Sequence, residues 1–155
     1  MSSLLMLVLL GCLIFNPAVA QVGPSLEIEG WSQEQTKIIK DRVVRMSLKL
    51  TSCEFFRAGW PINHDYLTTH MVIAPPSFQP LPKTEENKKV CAMAHPFSNT
   101  IELDETKADI VCPKNAVMMH ELLHIAGFAH GPEMAGILDT CLGPGAGNSA
   151  RETFR

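Results

Sequence analysis

Ile39, Val43, Met46 and Leu50 follow one another at spacings of four, three and four, one apolar stripe on a 3.6-residue period. Ser32 stands just before this run and Gln35 three residues on, the arrangement of a capping box. The pattern predicts a long helix from about Ser32 to Leu50, with the stripe as a core face. Met71-Val72-Ile73-Ala74 reads as a strand ended by Pro75-Pro76. Pro80, Pro82 and the polar run 83–89 read as an exposed loop. Val90 to Ala94 and Thr100 to Asp104 predict two short strands around a turn that contains Pro96. A second helix is expected from near Pro113 to about Ala126. Proline suits its first turn, and Gly127 suits the left-handed residue that ends it. After Leu142, glycine and proline predict a loop-rich tail over 143–155, with room for barely two helical turns at its end. Helices and short strands in this order predict an α+β fold.

Before the first helix comes a different pattern. Leu4 to Phe15 is an apolar run too short to span a bilayer as a helix. Ala18-Val19-Ala20 then offers an A-x-A cleavage site, so residues 1–20 are expected to be a signal peptide, although no basic residue precedes the run. Leu9-Leu10-Gly11-Cys12 also fits a lipoprotein site, the weaker option beside the better cleavage site downstream. Residues 21–155 are then expected to form one secreted domain, with no membrane attachment once the leader is cut.

The formal charge is −3, and no basic run occurs. Nucleic acid and anionic membrane surfaces are therefore not expected partners. Beyond the leader, Cys53, Cys91, Cys112 and Cys141 are even in number, and no pair stands at C-x-x-C spacing. In an exported domain they predict two disulfides, with three connectivities open.

The chemistry concentrates in His120-Glu121-Leu122-Leu123-His124-Ile125-Ala126-Gly127-Phe128-Ala129-His130. On a helix, His120 and His124 stack one turn apart and present two imidazoles to one ion. Glu121 lies about 100° round the helix, where it can reach a water held on that ion without ligating it. Gly127 permits the sharp turn that brings His130 back as third ligand. Three histidines leave a coordination position for water, which separates catalytic from closed structural zinc. A helix carrying histidines by chance is the plainer reading. Two more residues at the right offsets make it roughly a hundredfold rarer than the short HExxH pattern alone.

These eleven residues resemble the HExxHxxGxxH signature of the metzincin metallopeptidases. A weaker likeness to the matrixins runs from Ala94-His95-Pro96 to Ile101-Glu102-Leu103-Asp104-Glu105. The resemblance implies a small metzincin-like domain. Its parts would be a long N-terminal helix, a twisted mixed sheet, an active-site helix ending at Gly127 and a clipped C-terminal subdomain. It implies one catalytic zinc on His120, His124 and His130, with Glu121 as general base in peptide hydrolysis. It also implies an extended peptide or protein substrate paired along a sheet edge, the second strand of the pair. The chain is expected to act as a monomer.

A methionine turn is expected beneath the ligands, with Leu138 replacing the family's methionine as the apolar floor, or else Met134 taking that role through a tighter turn, and Leu138 fits the register better. Tyr66 is the only tyrosine and precedes the motif, so no tyrosine ligand is expected. Residues 21–30 contain no cysteine, so no cysteine-switch latency is expected either. His64, His70 and His95 offer a second, structural zinc site. Glu102, Asp104 and Glu105 offer a calcium site. Surface or hydrogen-bonded histidines are the simpler reading of the first group, and an exposed strand face with its turn that of the second. The alternative from another class is a zinc-stabilised secreted binding module without catalysis.

Overall fold

A computed structural model describes residues 26–53 and 75–148. The leader, His64, His70, Tyr66, the expected strand Met71–Ala74 and the end of the tail from 149 lie outside the described residues. The first helix, α1, spans Gln33–Ser52. Its capping box is complete: Gln35 N donates to Ser32 Oγ at 3.3 Å and Ser32 N donates to Gln35 Oε1 at 3.2 Å. Such a cap stabilises a helix by about 1 kcal/mol. Ile39, Val43, Met46 and Leu50 are all buried, as the stripe predicts. Each contributes roughly 1.5–3 kcal/mol by leaving water.

Three strands follow: β1 (Ser77–Pro80), β2 (Ala92–His95) and β3 (Thr100–Leu103). The sheet order is β1-β3-β2, with β1 parallel and β2 antiparallel to β3. The sheet is thus mixed, as expected, but two details correct the sequence reading. Pro80 closes a strand rather than opening a loop. Proline is tolerated there because β1 is short and lies towards the sheet's margin, where only 27–29 pair beyond it, through Glu29 N to Phe78 O and Phe78 N to Glu27 O. Glu86–Lys89 winds into a short 3-10 helix, though its side chains remain largely exposed as predicted.

The last two helices are α2 (Lys114–Ile125) and α3 (Pro132–Leu142). Helix α2 is buried on nearly every side, from Ala116 through Leu123, which makes it the central element. It packs on α1, β2 and α3. Helix α3 is the larger correction: a helix occupies the stretch where a methionine turn was expected. Met134, Ile137, Leu138 and Cys141 form its buried face. Met134 and Leu138 therefore stand one turn apart on the same face, and neither sits in a turn. The tail also differs from a plain loop, since residues 146–148 start a helical turn. Gly147 N donates to Asp139 Oδ1 at 2.8 Å. A Cβ on Gly147 would lie 2.6 Å from the Ala135 carbonyl oxygen, so the tail packs tightly onto α3.

The four cysteines pair as Cys53–Cys141 and Cys91–Cys112, one of the three connectivities left open. The first ties the end of α1 to the end of α3, and the second ties the start of β2 to the residues before α2. Their sequence separations of 88 and 21 residues correspond to about 4.6 and 3.3 kcal/mol of lost unfolded-chain entropy in the loop-closure account. No helix among the described residues is long and apolar enough to cross a membrane. Two disulfides are compatible with an extracellular setting.

Candidate metal centre

Helix α2 ends at Ile125, with Ala126 as its C-cap, in a complete Schellman motif. Phe128 N donates to Leu123 O at 3.0 Å and Gly127 N donates to His124 O at 2.9 Å. Gly127 sits at φ +92°. A Cβ there would meet nothing within 4 Å, so glycine is required for its backbone conformation, not for space. This reversal does two things for the site. It returns the chain so that His130 faces the helix again. It also aims the Phe128 carbonyl at His124, whose Nδ1 lies 2.8 Å away.

The three imidazoles converge on one point. Each pair of Nε2 atoms among His120, His124 and His130 is separated by 3.0 Å. The carbonyl of Phe128 can only accept, so His124 Nδ1 carries the proton and His124 Nε2 presents a lone pair. No placement of the remaining protons satisfies all three contacts of the triangle. If His120 and His130 both donate to His124, their own protons collide. If either is unprotonated, two lone pairs face each other. A cation on the axis, about 2 Å from each nitrogen, satisfies all three together. The Phe128 carbonyl then plays the outer-shell part that fixes tautomer and ring direction. The triad is graded in exposure: His120 is buried, His124 half-buried and His130 exposed. These residues can hold a metal ion, as the spacing predicts.

Glu121 lies beside this triangle, only 1% exposed. Its carboxylate accepts the backbone N–H of Ala94 on β2, while Oε1 has no hydrogen-bond partner among the described residues. Burial pushes its pKa up from 4.5 to about 8, opposed by the Ala94 bond. His120 moves the other way, from 6.5 down to about 3, through burial first and then its two histidine neighbours. His124 is lowered as well, by burial, with the Phe128 bond opposing.

These opposed shifts make a testable pH profile for protein stripped of metal. Glu121 ionises at about 4.5 when unfolded and about 8 when folded, so its contribution is complete below 4.5 and is lost as pH rises to 8. His120 protonates at about 6.5 unfolded and about 3 folded, so its contribution is lost as pH falls below 6.5. The two slopes cancel between the ordinary values. His124, lowered in the same direction as His120, adds a rise with pH below 6.5, so the melting temperature should be highest near pH 6.5 and fall on both sides. Added metal should abolish the alkaline fall, because a cation favours the ionised carboxylate. A metal-free melting temperature that climbs steadily to pH 8 contradicts this account.

Glu121, His124 and His130 share a cleft of about 370 Å³ with Val90, Ala92, Met93, Ala94 and Pro96. Its far wall is β2, and the sequence reading of the sheet edge needs correcting here. The second strand of the pair, β3, lies in the middle of the sheet, and β2 is the edge. Asp104 N donates to Cys91 O. By antiparallel alternation, Met93 and His95 then turn their backbone groups to β3, and Ala92 and Ala94 turn theirs outward. The Ala94 bond to Glu121 is one of these outward groups.

The remaining candidates are used differently. His95 Nε2 lies 3.3 Å from Glu102 Oε2, and Gln79 donates to the other Glu102 oxygen at 3.1 Å. Asp104 accepts from Thr106 and pairs with Lys107. Glu105 pairs with Arg42 and Lys114. These carboxylates are half-buried and held by protein cations and amides, where an exposed strand face was expected. Among the described residues, the His120–His124–His130 triad is the only cluster of three or more metal-ligating side chains. The Ala94 N–H and the Phe128 carbonyl were beyond sequence reasoning, because backbone groups leave no mark in residue identity. No family model, curated protein or solved structure matches the chain.

Proposed function

We propose that this chain is a secreted, zinc-dependent endopeptidase of metzincin-like design, with His120, His124 and His130 as ligands and Glu121 as general base. The observation that carries the reading is the buried Glu121 carboxylate. It is anchored through one oxygen to the strand edge, and its other oxygen has no hydrogen-bond partner among the described residues. A structural metal site has no use for such a group. Zinc suits three neutral imidazoles, since tetrahedral bonds of about 2.0–2.1 Å need nitrogens about 3.3 Å apart, close to the 3.0 Å seen. When bound, zinc polarises a carbonyl and lowers the pKa of water from about 15.7 towards about 7.

The chain's own residues do the rest. Glu121 takes the proton from the attacking water and returns it to the leaving amine. Its burial keeps that proton out of bulk water between the two steps. The outward groups of Ala92 and the outward carbonyl of Ala94, whose N–H Glu121 already holds, pair with an extended peptide and hold its carbonyl near the triad. The disulfides support export to an oxidising compartment.

Helix α3 in place of a methionine turn favours a second reading, a zinc-stabilised secreted binding module. Zinc-loaded protein mixed with a quenched fluorogenic peptide library, with and without a hydroxamate chelator, separates the two. Chelator-sensitive cleavage is the expected result. Complete absence of cleavage selects the binding module.

A further inference from the structure

Of the methionines among the described residues, Met46, Met118, Met119 and Met134 belong to the buried core. The most exposed of these, Met46, is only 5% accessible. Met93 is the exception. It is half-buried, lies outside the hydrophobic cluster, and lines the cleft together with Glu121, His124 and His130. The strand register explains its position. Ala92 and Ala94 stand opposite the buried Leu103 and Ile101, so alternation sends the Met93 side chain to the other face of β2, opposite Glu102. A long apolar side chain there contributes no core packing, and it is open to solutes that enter the cleft. Among the described residues no thiol competes for an oxidant, because Cys53, Cys91, Cys112 and Cys141 are all held in disulfides.

We propose that Met93 is a modification site, at which a two-electron oxidant such as hydrogen peroxide forms methionine sulfoxide and weakens substrate binding in the cleft. The peroxide O–O bond breaks, one oxygen forms the S=O bond, and the other leaves as water. The sulfur loses the two electrons that the peroxide gains, and methionine sulfoxide reductases reverse such a change. The rest of the wall, Val90, Ala92, Ala94 and Pro96, is apolar. A sulfoxide oxygen added to it has two fates. Left without a donor beneath a bound peptide, it costs desolvation. Paired with the outward N–H of Ala92, it takes a group that the peptide would use, since Glu121 already holds that of Ala94. Both weaken binding without touching the histidines or the proton carrier. The effect on substrate rests on the hydrolytic reading above; the selective oxidation does not.

The test treats zinc-loaded full-length protein with hydrogen peroxide and follows each methionine by peptide mapping as a gain of one oxygen. Met93 should be oxidised roughly tenfold faster than Met46, Met118, Met119 and Met134. Over the same course, KM for a fluorogenic peptide should rise about three- to tenfold while kcat holds. Met93→Leu keeps the side-chain volume and has no oxidisable sulfur, so its KM should not move between untreated and treated samples. Oxidation of Met93 no faster than that of the core methionines overturns the proposal, and so does a KM rise that persists in Met93→Leu. Constant KM at full Met93 oxidation also overturns it and leaves the peptidase reading standing. Binding of a fluorescent peptidyl hydroxamate supplies a readout that needs the metal and the cleft but no hydrolysis. If no form cleaves peptide, a hydroxamate affinity that falls on oxidation in wild type and not in Met93→Leu supports the proposal. An affinity unchanged in both overturns it.

Discussion

Glu121→Ala should lower peptide hydrolysis by roughly 10²–10⁴-fold, the range that positioned proton transfer supplies, while zinc uptake by the three histidines is unchanged. The alanine variant also strips Ala94 N–H of its acceptor, and an unsatisfied buried donor costs about 1–3 kcal/mol. Glu121→Gln answers that objection. Its amide oxygen can still accept from Ala94, so the cleft wall keeps its anchor while the proton carrier is gone. Both variants should therefore lose turnover to a similar degree, with Glu121→Gln the nearer to wild type in melting temperature. Both should bind a hydroxamate through the metal. Full activity in either variant removes Glu121 from the mechanism and requires a different proton carrier. If turnover falls only in Glu121→Ala and follows melting temperature, the residue is a structural strut.

His130→Ala should abolish tight metal binding and leave the metal-free fold untouched. His130 is exposed, whereas His120 is 2% exposed and its loss would leave a hole beside Leu123 and Glu121 in α2. The exposed ligand is therefore the cleaner one to remove. Loss of an outer hydrogen bond to a ligand already costs about 10–100-fold in affinity, and loss of the ligand itself should cost more. Competition against a chromophoric chelator measures it, and cobalt substitution adds a second readout, since the tetrahedral visible bands should vanish. Unchanged affinity in His130→Ala would mean that the ion sits elsewhere. The apo protein's melting temperature should match wild type within a degree or two, because an exposed imidazole contributes little packing.

The parts of this molecule that were legible in its sequence are those set by local rules. The stripe of α1 and its cap at Ser32 and Gln35 depend on neighbours within one turn. So do the two helical histidines and the reversal at Gly127. Cysteine number was legible and pairing was not, because Cys53 and Cys141 meet only after the whole chain has folded. β1 escaped notice because Ser77-Phe78-Gln79-Pro80 carries one buried residue and a proline, with no alternation long enough to register. Its order comes from β3, some twenty residues later. α3 failed for another reason. Pro132 at its start and the spacing of Met134, Ile137, Leu138 and Cys141 are ordinary helix signals. The likeness to a methionine turn led the sequence reading to overlook them.

The pairing of Cys53 with Cys141 turns most of the molecule into a covalent ring, with Cys91–Cys112 as a chord across it. β1, β2, β3, α2, α3 as far as Cys141, and the whole histidine triad belong to that ring. A single cut anywhere in its backbone opens a loop without releasing a piece. A nick is then a change of topology and not a loss of mass. The severed ends stay tethered, and the three histidines of the candidate site remain at high effective concentration relative to one another.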